Sequence, residues 1–427
     1  MFKIDYVLVN SEGKTISAQL TSLDDGQTRI LPVQSLIGMQ FDNAIVTKNG
    51  VIRAKRGYIL ERKAYRVFYI MNKDKIVAEF DESMKCKVRG QFPKGYISLK
   101  GWLESRQVFE CAKDGHAFYL SIGIRNVFDF IDMTNCVSLR DTYWVKPASS
   151  PLTWDCVSPF RNDYSDVVSI YALEGYLLGR DTKYIAPELG TCGSFPHAWA
   201  YNDGNISFIK AGSKFSLGGI NSGQEPYSEY FASIICDYLE FNHIKYDIRN
   251  HERCDNQVDV VTECKLYTSE EYGSITASRL GLKDYDEVLN YCSKLGKKSL
   301  TNCLNMFFLD CLLLNIDRHL GNIEFYISNE TQQVVGLIPI FDNNCSMLPR
   351  FVESTDTFVR TDYITASGML FEKLFRLVER HRSYRKQLQK LKRLKLQKPN
   401  RVAMTDSRID FLNKFLQMQV NYLLSIS

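Results

Sequence analysis

The strongest constraint on the fold is the order in which two kinds of apolar pattern follow each other along the chain. In the first part, short stretches alternate apolar and polar residues between turn signals, which predicts strands; examples are "KIDYVLVN", "TISAQLTS" and "YRVFYIMNKDKIVAEF". Beyond residue 265 the apolar residues have helical spacing in "SEEYGSITASRLG", "YDEVLNYCSKLG" and "SLTNCLNMFFLDCLLLNI". A β-rich part followed by a helix-rich part predicts an α+β fold with two lobes and argues against alternating βαβ units.

Length and composition narrow the class of protein further. The chain has 427 residues, 45% of them hydrophobic, which is enough for two or three domains or lobes. Its 53 basic and 49 acidic residues nearly balance, so the net charge indicates no partner. The N-terminus lacks a signal-peptide pattern, and the most apolar run, 304–316, is too short to span a bilayer. Because the twelve cysteines form no C-x-x-C pair, we expect reduced thiols in a cytoplasmic protein without a membrane segment.

Changes in pattern along the chain divide it into four segments. An N-terminal β-rich accessory module precedes a connector, and a Pro- and Ser-containing stretch leads from the connector into the first lobe. The first lobe is rich in strands, and the second is helical and ends in basic helices. The predicted boundaries are 1–110 for the N-terminal module, 111–150 for the connector, 151–266 for the β-rich lobe and 267–427 for the helical lobe.

The sequence "NIDRHLGN" (315–322) places several polar side chains directly behind an apolar helix. Two strand-like segments follow it, 323–327 and 334–341, with a polar turn between them. If they form a hairpin, the beginning of the first strand lies beside the end of the second. Asn322 stands at that beginning and Asp342 at that end, while Asp317 lies in the preceding turn. The hairpin therefore predicts that one amide and two carboxylates converge.

These three side chains suit a magnesium ion and a substrate phosphate. Mg²⁺ takes few protein oxygen ligands together with phosphate oxygens. Asp317 and Asn322 also have the spacing of the kinase catalytic loop, whose Asp orients the attacking hydroxyl and whose Asn binds the metal. The alternative is a turn capped by Asp317, with Arg318 and His319 on the surface. That alternative explains each residue separately but not their convergence.

A second predicted hairpin lies earlier in the chain. The segments "PHAWAY" and "ISFIK" flank "NDG" (202–204), which is a strong hairpin-turn signal. The same geometry brings a loop with Gly190 and Gly193 beside Lys210. Backbone N–H groups of such a loop can bind phosphate oxygens, and an ammonium group at this position can bridge two phosphates. Two nearby glycines alone indicate only a turn, so the prediction depends on the lysine.

The segment behind this hairpin supplies a partner for the lysine. "EPYSEYFASIICDYLEFN" (225–242) has helical spacing and carries Glu229 on its first turns. We expect Glu229 to pair with Lys210, with Glu225 as the alternative. "VDVVTECKLYT" (258–268) predicts a buried strand at which an adenine ring would bind backbone groups. Backbone groups leave no signature in a sequence.

Taken together, these motifs resemble those of a known kinase family. "GTCGSF", "FIKAG", the "EYF" helix, "NIDRHLGN" and "PIFDN" are similar to motifs of the HipA-like serine/threonine kinases and, more distantly, of the phosphoinositide lipid kinases. The resemblance covers residues 135–427. It implies a protein-kinase-like fold that uses ATP and Mg²⁺ to phosphorylate a hydroxyl of a protein substrate.

The resemblance also implies a role for each site residue. Asp317 would be the catalytic aspartate, and Asn322 and Asp342 would be the Mg²⁺ ligands. Lys210 would bind the nucleotide phosphates. His319 occupies the family's histidine position in the catalytic loop. The implied phosphate loop contains Gly190, Thr191, Gly193 and Ser194.

The chain departs from the known kinase patterns in several places. It has no G-x-G-x-x-G, H-R-D or D-F-G motif, so it is not an ordinary eukaryotic-type kinase. Asn343 replaces the glycine of the third motif. Residues 1–65 do not match the usual N-terminal region of the HipA-like kinases, so a toxin–antitoxin role does not follow. Some HipA-like enzymes phosphorylate a hydroxyl in their own loop, for which Thr191 and Ser194 are the local candidates.

Residues 371–401 form a strongly basic segment. It contains twelve Lys or Arg residues against two Glu, and its leucines keep helical spacing, which predicts a basic amphipathic helix or helix pair. One interpretation is a helix of the second lobe with a solvated cationic face. The other is a surface for an acidic partner such as tRNA, DNA or an anionic protein.

Two other functions stay open from the sequence. A small-molecule kinase of the aminoglycoside or choline type shares the Asp-x4-Asn spacing, but it usually has His before the Asp, where this chain has Ile316. A catalytically inactive nucleotide-binding regulator would use the basic segment to bind nucleic acid. An active kinase is favoured because all four predicted site residues are present, namely Lys210, Asp317, Asn322 and Asp342.

Overall fold

The computed structural model describes residues 1–9, 14–107, 115–176, 185–191, 195–213, 223–349 and 363–427. It contains α-helices and mainly antiparallel sheets in four successive groups along the chain. The predicted mixture of strands and helices is therefore confirmed. Within the described ranges, no helix is both long and apolar enough to cross a membrane.

The first group is a small β-rich unit. Its elements are β1 (Phe2–Val9), β2 (Thr15–Ser22), β3 (Thr28–Pro32), α1 (Val33–Leu36), β4 (Ala44–Val46), β5 (Ile52–Ala54) and β6 (Glu61–Ala64). The main sheet has the order β3-β2-β1-β6, in which β1 pairs antiparallel with β2 and parallel with β6. The strands β4 and β5 form a separate hairpin around the "KNG" turn.

The second group surrounds a four-stranded antiparallel sheet. Its elements are β7 (Val67–Asn72), β8 (Lys75–Asp81), β9 (Cys86–Val88), α2 (Leu99–Glu104), α3 (Gly115–Ser121), α4 (Val127–Thr134), β10 (Tyr143–Pro147), α5 (Trp154–Val157) and α6 (Asp166–Glu174). The sheet has the order β10-β7-β8-β9. The segment 111–150, predicted as a connector, thus contributes β10 to this sheet beside β7. The domain boundaries themselves stay a prediction.

The third group carries the second predicted hairpin. A 3₁₀ turn (Pro187–Gly190) precedes β11 (His197–Asn202), β12 (Asn205–Ala211), α7 (Glu225–Leu239), β13 (Tyr246–Glu252) and β14 (Val258–Lys265). The strands β11 and β12 pair antiparallel around the "NDG" turn, as predicted. The sheet order is β11-β12-β14-β13, so β12 is a central strand, and α7 packs against this sheet.

The fourth group is mostly helical and contains the first predicted hairpin. Its elements are β15 (Tyr272–Thr276), α8 (Tyr285–Leu295), α9 (Lys297–Leu313), β16 (Glu324–Ser328), β17 (Val334–Leu337), α10 (Phe371–Glu379), α11 (Arg385–Leu391) and α12 (Asp406–Ile426). The strands β16 and β17 form the expected antiparallel hairpin, but β17 ends at Leu337 and not at residue 341 as predicted. The basic segment 371–401 contains the helix pair α10 and α11, and its last ten residues form no helix.

The stretch "SEEYGSITASRLG" is not helical, and that prediction was wrong. Its central residues form β15, which pairs antiparallel with β16. A Cβ atom on Gly273 would lie 2.3 Å from the backbone oxygen of Arg140, so only glycine permits this close approach. The periodicity of a short segment does not decide between helix and strand when a neighbouring strand supplies the hydrogen bonds.

The largest hydrophobic core lies in the C-terminal half. Side chains from α7, α8, α9, β16 and the helices α10 to α12 form it. Helix α9 is buried on nearly every side from Asn302 to Leu313. A helix that is held all round fixes the position of the turn that follows it, and that turn is "NIDRHLGN".

Candidate active site

The candidate site begins where α9 ends. Leu314 takes a left-handed conformation with a φ of 51°, and the amide of Asn315 donates to the carbonyl oxygen of Asp310 at 3.1 Å. The Oδ1 atom of Asn315 then accepts a hydrogen bond from the amide of Asp317 at 3.2 Å. The Nδ2 atom of Asn322 donates to the carbonyl oxygen of Asp317 at 3.0 Å. These bonds fix the turn that carries the Asp317 carboxylate.

Arg318 holds this turn against the hairpin. Arg318 and Asp310 are each 1% exposed, and the guanidinium Nε lies 3.1 Å from the Asp310 Oδ2. The Nη1 atom of Arg318 donates to the carbonyl oxygens of Asn322 at 3.0 Å and Phe341 at 2.7 Å. One side chain therefore joins the segment that precedes β16 to the segment that follows β17. The interpretation that placed Arg318 on the surface was wrong.

A signal for this buried pair was present in the sequence. Asp310 is the only charged residue in the apolar stretch 304–314. A carboxylate in a buried helix rarely lacks a cation, because an unpaired buried charge costs several kcal/mol. Arg318 is the next cation along the chain. The pair could therefore have been predicted from Asp310 alone.

Asp342 lies across from the turn 315–322 in a left-handed conformation with a φ of 56°. Such a backbone is uncommon for aspartate and often marks turns or functional sites. Asn315 Nδ2 donates to the Asp342 carbonyl oxygen at 3.3 Å, and the amide of Asn343 donates to Glu229 Oε1 at 3.0 Å. These two bonds hold Asp342 between the turn 315–322 and α7.

Lys210, near the end of β12, reaches the same place from the other side. Its ammonium group forms an ion pair with the Asp342 carboxylate, and the Oε2 atom of Glu229 lies 3.9 Å away. Glu225 instead accepts hydrogen bonds from the amide and the hydroxyl group of Ser213, at 3.0 and 2.7 Å. Of the two glutamates, Glu229 is the one that lies beside Lys210.

The predicted phosphate loop is described in part. Gly190 and Thr191 line the same cavity as Lys210. The hydroxyl group of Thr191 donates to the carbonyl oxygen of Pro187 at 2.8 Å and accepts from the indole N–H of Trp199 at 2.9 Å. These bonds hold the start of the loop against β11. Residues 192–194, which include the predicted Gly193 and Ser194, lie outside the described residues.

A buried carboxyl group lies in the 3₁₀ turn that precedes this loop. Glu188 is fully buried, and its Oε1 atom accepts hydrogen bonds from the Trp199 amide and the Ser169 hydroxyl group, both at 2.8 Å. Burial raises the pKa of Glu188 to about 7, and these hydrogen bonds only partly oppose that effect. In the described part of the chain, Glu188 forms no ion pair with a cation.

A cavity of about 390 Å³ brings the predicted residues together, because Lys210, Asp317, His319, Asn322 and Asp342 all line it. Aromatic side chains form another part of its lining, as is usual for a site that binds a flat ligand. We call them the aromatic wall, and they come from five different segments: Trp199, Phe208, Tyr246, Tyr267 and Phe341. No pattern in the sequence indicates that these five side chains converge.

Burial and neighbouring charges shift the pKa values of the charged groups. Burial raises the pKa of Asp317, and the nearby Asp342 carboxylate adds to this shift. Burial acts in the same direction on Asp342, but Lys210 outweighs it and holds the pKa of Asp342 below its ordinary value. Burial opposes the charge of Lys210, yet Asp342 and Glu229 raise the Lys210 pKa well above its usual range. At neutral pH Lys210 is an ammonium ion, and Asp317 is the more basic of the two aspartates.

His319 is an exposed residue of the turn. Its Nδ1 atom accepts a hydrogen bond from the amide of Gly321 at 3.0 Å. Its carbonyl oxygen accepts from the amide of Asn322 at 2.9 Å. His319 therefore shapes the backbone between Asp317 and Asn322, and its imidazole lies at the cavity surface.

The available donors fit a magnesium ion that also binds substrate phosphates. Asn322 uses its amide nitrogen for the bond to Asp317, so its amide oxygen is a suitable ligand. Asp342 adds a carboxylate, and the Asp317 carboxylate accepts no hydrogen bond from the described residues. Over the same ranges, no three or more His, Cys, Asp or Glu side chains form a metal-binding group. Such an ion would depend on phosphate oxygens for its remaining ligands.

Comparisons with known proteins returned structures of the kind that the motif resemblance predicted. The structure is similar to the Helicobacter pylori proinflammatory kinase CtkA, with 16% identity over 55% of this chain and 92% of that chain and a TM-score of 0.39. It is also similar to a chain of the Shewanella oneidensis MR-1 toxin–antitoxin complex of HipA, HipB and operator DNA, with 12% identity over 84% of this chain and 100% of that chain and a TM-score of 0.49. No protein-family model and no curated protein sequence match the chain.

HipA, which the sequence motifs indicated, is thus among the structural neighbours. Both TM-scores lie below 0.5 and both identities are low. The function of the chain therefore has to be inferred from the arrangement of the site residues.

Proposed function

We propose that the chain is an ATP- and Mg²⁺-dependent phosphotransferase with a two-lobed protein-kinase-like fold, which transfers the γ-phosphate of ATP to a serine or threonine hydroxyl of a protein. The observation that carries the proposal is the convergence of Lys210, Asp317, Asn322 and Asp342 at one cavity. Lys210 belongs to the β11–β12 hairpin, and the other three residues flank the β16–β17 hairpin, which lies far away in the sequence. A purely structural role for each residue does not account for their meeting.

Each residue has a part in the proposed reaction. The substrate hydroxyl oxygen attacks the γ-phosphorus, the bond from that phosphorus to the β–γ bridging oxygen breaks, and ADP leaves. Asp317, whose carboxylate accepts no hydrogen bond from the described residues, orients the hydroxyl and takes its proton. The raised pKa of Asp317 makes it a better base for this purpose. Lys210 stabilises negative charge on the phosphates.

Asn322 and Asp342 would hold the magnesium ion, which when bound neutralises charge on the β- and γ-phosphates. In the free protein the Lys210 ammonium already offsets the Asp342 carboxylate. The aromatic wall would enclose the adenine ring and exclude water from it. Little covalent chemistry is left for the protein, so positioning and electrostatic stabilisation account for most of the rate.

Transfer of label from γ-labelled ATP with Mg²⁺ tests this proposal. The products are separated into protein and small-molecule fractions, for the wild type, for Asp317→Ala and for Asp410→Ala, which removes an exposed carboxylate on α12. We expect label on protein, a loss of about 10²- to 10⁴-fold in Asp317→Ala, and no change in Asp410→Ala. Label only on small molecules would favour the small-molecule kinase, and ATP binding without transfer would favour the inactive regulator.

A second candidate function rests on the basic segment 371–401, which contains α10 and α11. Seven of its cations are exposed and form no ion pair with the described residues: Lys373, Arg380, Arg385, Lys386, Lys392, Arg393 and Lys395. A row of unpaired cations is the electrostatic footprint expected for a nucleic-acid surface. We infer that this face binds nucleic acid in addition to any kinase activity.

Binding of a fluorescent DNA oligonucleotide at two salt concentrations tests the second candidate. The triple variant Lys386→Glu, Lys392→Glu, Arg393→Glu should bind more weakly and with a smaller salt dependence, because each lost phosphate contact reduces the slope by about one. Lys48→Glu, which changes an exposed cation of the first β-rich unit, is the matched control. Equal binding by both variants would contradict this function.

A further inference from the structure

The cavity continues beyond the catalytic residues to a second wall that the proposed chemistry does not use. Part of this wall comes from the loop before α2, which belongs to the predicted N-terminal module. Part comes from the segment that follows β15. We call it the outer wall, and it consists of Lys94, Tyr96, Ser278 and Arg279.

The N-terminal module is fixed firmly enough to form such a wall. The turn between β16 and β17 binds it at two points: Asn72 Nδ2 donates to the Asn329 carbonyl oxygen at 2.7 Å, and the Lys94 amide donates to Gln332 Oε1 at 3.0 Å. The side chain of Gln332 is buried. The loop that carries Lys94 is therefore attached to the hairpin that positions Asn322.

The two halves of the outer wall also contact each other. Gly95 has a φ of 83°, and a Cβ atom there would lie 2.9 Å from the backbone oxygen of Arg279. The guanidinium of Arg279 lies over the Tyr96 ring, 4.6 Å from its centre. Such a cation–π contact holds the arginine without neutralising its charge.

The outer wall is directly connected to the catalytic turn. The amide of Ser278 donates to the carbonyl oxygen of Leu320 at 3.2 Å, and the amide of Ala277 donates to that of Ile323 at 2.8 Å. Arg279 is thus one residue away from a backbone bond to the turn that carries Asp317. The backbone beside Arg279 is therefore bonded to the turn that carries Asp317, and both side chains line the same cavity.

Some of the charged side chains that line the cavity form ion pairs, and others do not. Arg106 pairs with Asp141, Arg140 pairs with Glu324, and Lys210 pairs with Asp342. Two further cations of the lining, Lys94 and Arg279, are exposed and have no acidic partner among the described residues. Asp317 is the acidic group of the lining without an ion pair over the same ranges. The outer wall therefore presents uncompensated positive charge beside the catalytic carboxylate.

We propose that the acceptor is a protein segment with an acidic side chain close to the phosphorylated hydroxyl, and that Lys94 and Arg279 bind this acidic side chain. The proposal rests on the proposed kinase function and adds the class of acceptor. A nucleic acid would need a row of cations along its backbone. The outer wall instead offers two cations beside an aromatic ring and a serine hydroxyl, which suits one carboxylate of a peptide.

Phosphorylation of two synthetic peptides tests the proposal. Both contain one serine in the same neutral sequence, with glutamates on both sides in one peptide and lysines in the other. We expect the wild type to prefer the glutamate peptide in kcat/KM, and the preference should fall at high salt. Arg279→Gln and Lys94→Gln should each reduce it about fivefold, which corresponds to one exposed ion pair. The double variant Lys94→Glu, Arg279→Glu should prefer the lysine peptide.

The controls separate this proposal from the kinase proposal. Each variant should keep the wild-type KM for ATP, and the Arg279 variants should lose at most the roughly 0.5–1 kcal/mol of the exposed contact with Tyr96. Lys48→Glu should keep the peptide preference. Asp317-dependent transfer without a preference for the glutamate peptide, or a preference that survives charge reversal, would overturn the outer-wall proposal and leave the kinase standing.

Two further outcomes are decisive. Inhibition of peptide phosphorylation by an oligothymidylate that depends on Lys94 and Arg279 would assign the outer wall to nucleic acid and overturn the peptide proposal. Absence of Asp317-dependent transfer to any acceptor would instead contradict the kinase function on which the proposal depends.

Discussion

Two ion pairs on opposite sides of the site differ in their surroundings. Asp310 and Arg318 are each 1% exposed, and Arg318 also donates to backbone carbonyl oxygens of the hairpin. Lys210 and Asp342 are 13% and 17% exposed and line the cavity. The first pair cannot contact a ligand, whereas the second can contact any ligand that binds in the cavity.

The difference separates the residues that hold the site together from the residues that can contact a ligand. A fully enclosed pair has to keep its partners, because removing one of them leaves an uncompensated buried charge. A pair at a cavity can exchange partners, since a phosphate group can replace the carboxylate at the lysine. We therefore expect changes at Arg318 to act first on stability and changes at Lys210 to act first on phosphate transfer.

The largest effect is expected for Arg318→Leu. The substitution leaves the Asp310 carboxylate buried without a cation and removes the bonds that join the turn to the hairpin. We expect the free energy of unfolding to fall by about 3–5 kcal/mol, measured by urea denaturation. The double variant Asp310→Leu, Arg318→Leu should recover the part due to the buried charge but not the part due to the lost hydrogen bonds. A loss of less than about 1 kcal/mol, typical of an exposed pair, would show that Arg318 is not enclosed.

A smaller loss, seen in activity rather than stability, is expected for Lys210→Met. Without the ammonium group, nothing on β12 stabilises charge on the phosphates, and kcat/KM for ATP should fall about 100-fold. The free energy of unfolding should change much less than in Arg318→Leu, because Asp342 can take water or a proton from the cavity. Lys48→Met is the matched control. Full activity in Lys210→Met, or unfolding as easy as that of Arg318→Leu, would contradict the distinction between the two pairs.

The parts of the fold that could be predicted were those with a local cause. The "NDG" turn specified the β11–β12 hairpin, and the polar turn after β16 specified the other hairpin. Strand β15 was mistaken for a helix because its hydrogen-bonding partner β16 lies about 50 residues further on, and periodicity says nothing about such a partner. Gly273 is required by its close approach to the backbone of Arg140, which is still more distant in the sequence.

In the candidate site, too, only the contacts with a local cause could be predicted. The convergence of Asn322 with Asp342 could be derived because one hairpin brings them together. The aromatic wall could not be, because its members come from five segments whose relative placement is a property of the whole fold. The outer wall was even harder to predict from the sequence. Lys94 and Arg279 belong to different predicted domains and meet only through the packing around Gly95 and Tyr96.

A third buried group, Glu188, sharpens the comparison because it has hydrogen bonds but no ion pair with the described residues. Burial raises its pKa from 4.5 to about 7, so the folded protein holds a proton there that the unfolded chain releases at lower pH. The stabilisation from this proton is complete below the unfolded pKa of 4.5 and is lost as the pH rises through the folded pKa of about 7. Asp342 behaves in the opposite way, because Lys210 lowers its pKa and its stabilisation is lost as the pH falls through that lowered value.

We therefore expect the free energy of unfolding of the wild type to fall between about pH 4.5 and pH 7 relative to Glu188→Gln, by up to about 3 kcal/mol. Glutamine keeps the acceptor for the Trp199 amide and the Ser169 hydroxyl group but does not titrate, so the variant should lose this pH dependence. Urea denaturation of both proteins across this range measures the difference. Parallel curves would mean that Glu188 is ionised in the folded protein and has a cation or water beside it, and the loop that begins at Gly190 would then rest on a charged rather than a neutral group.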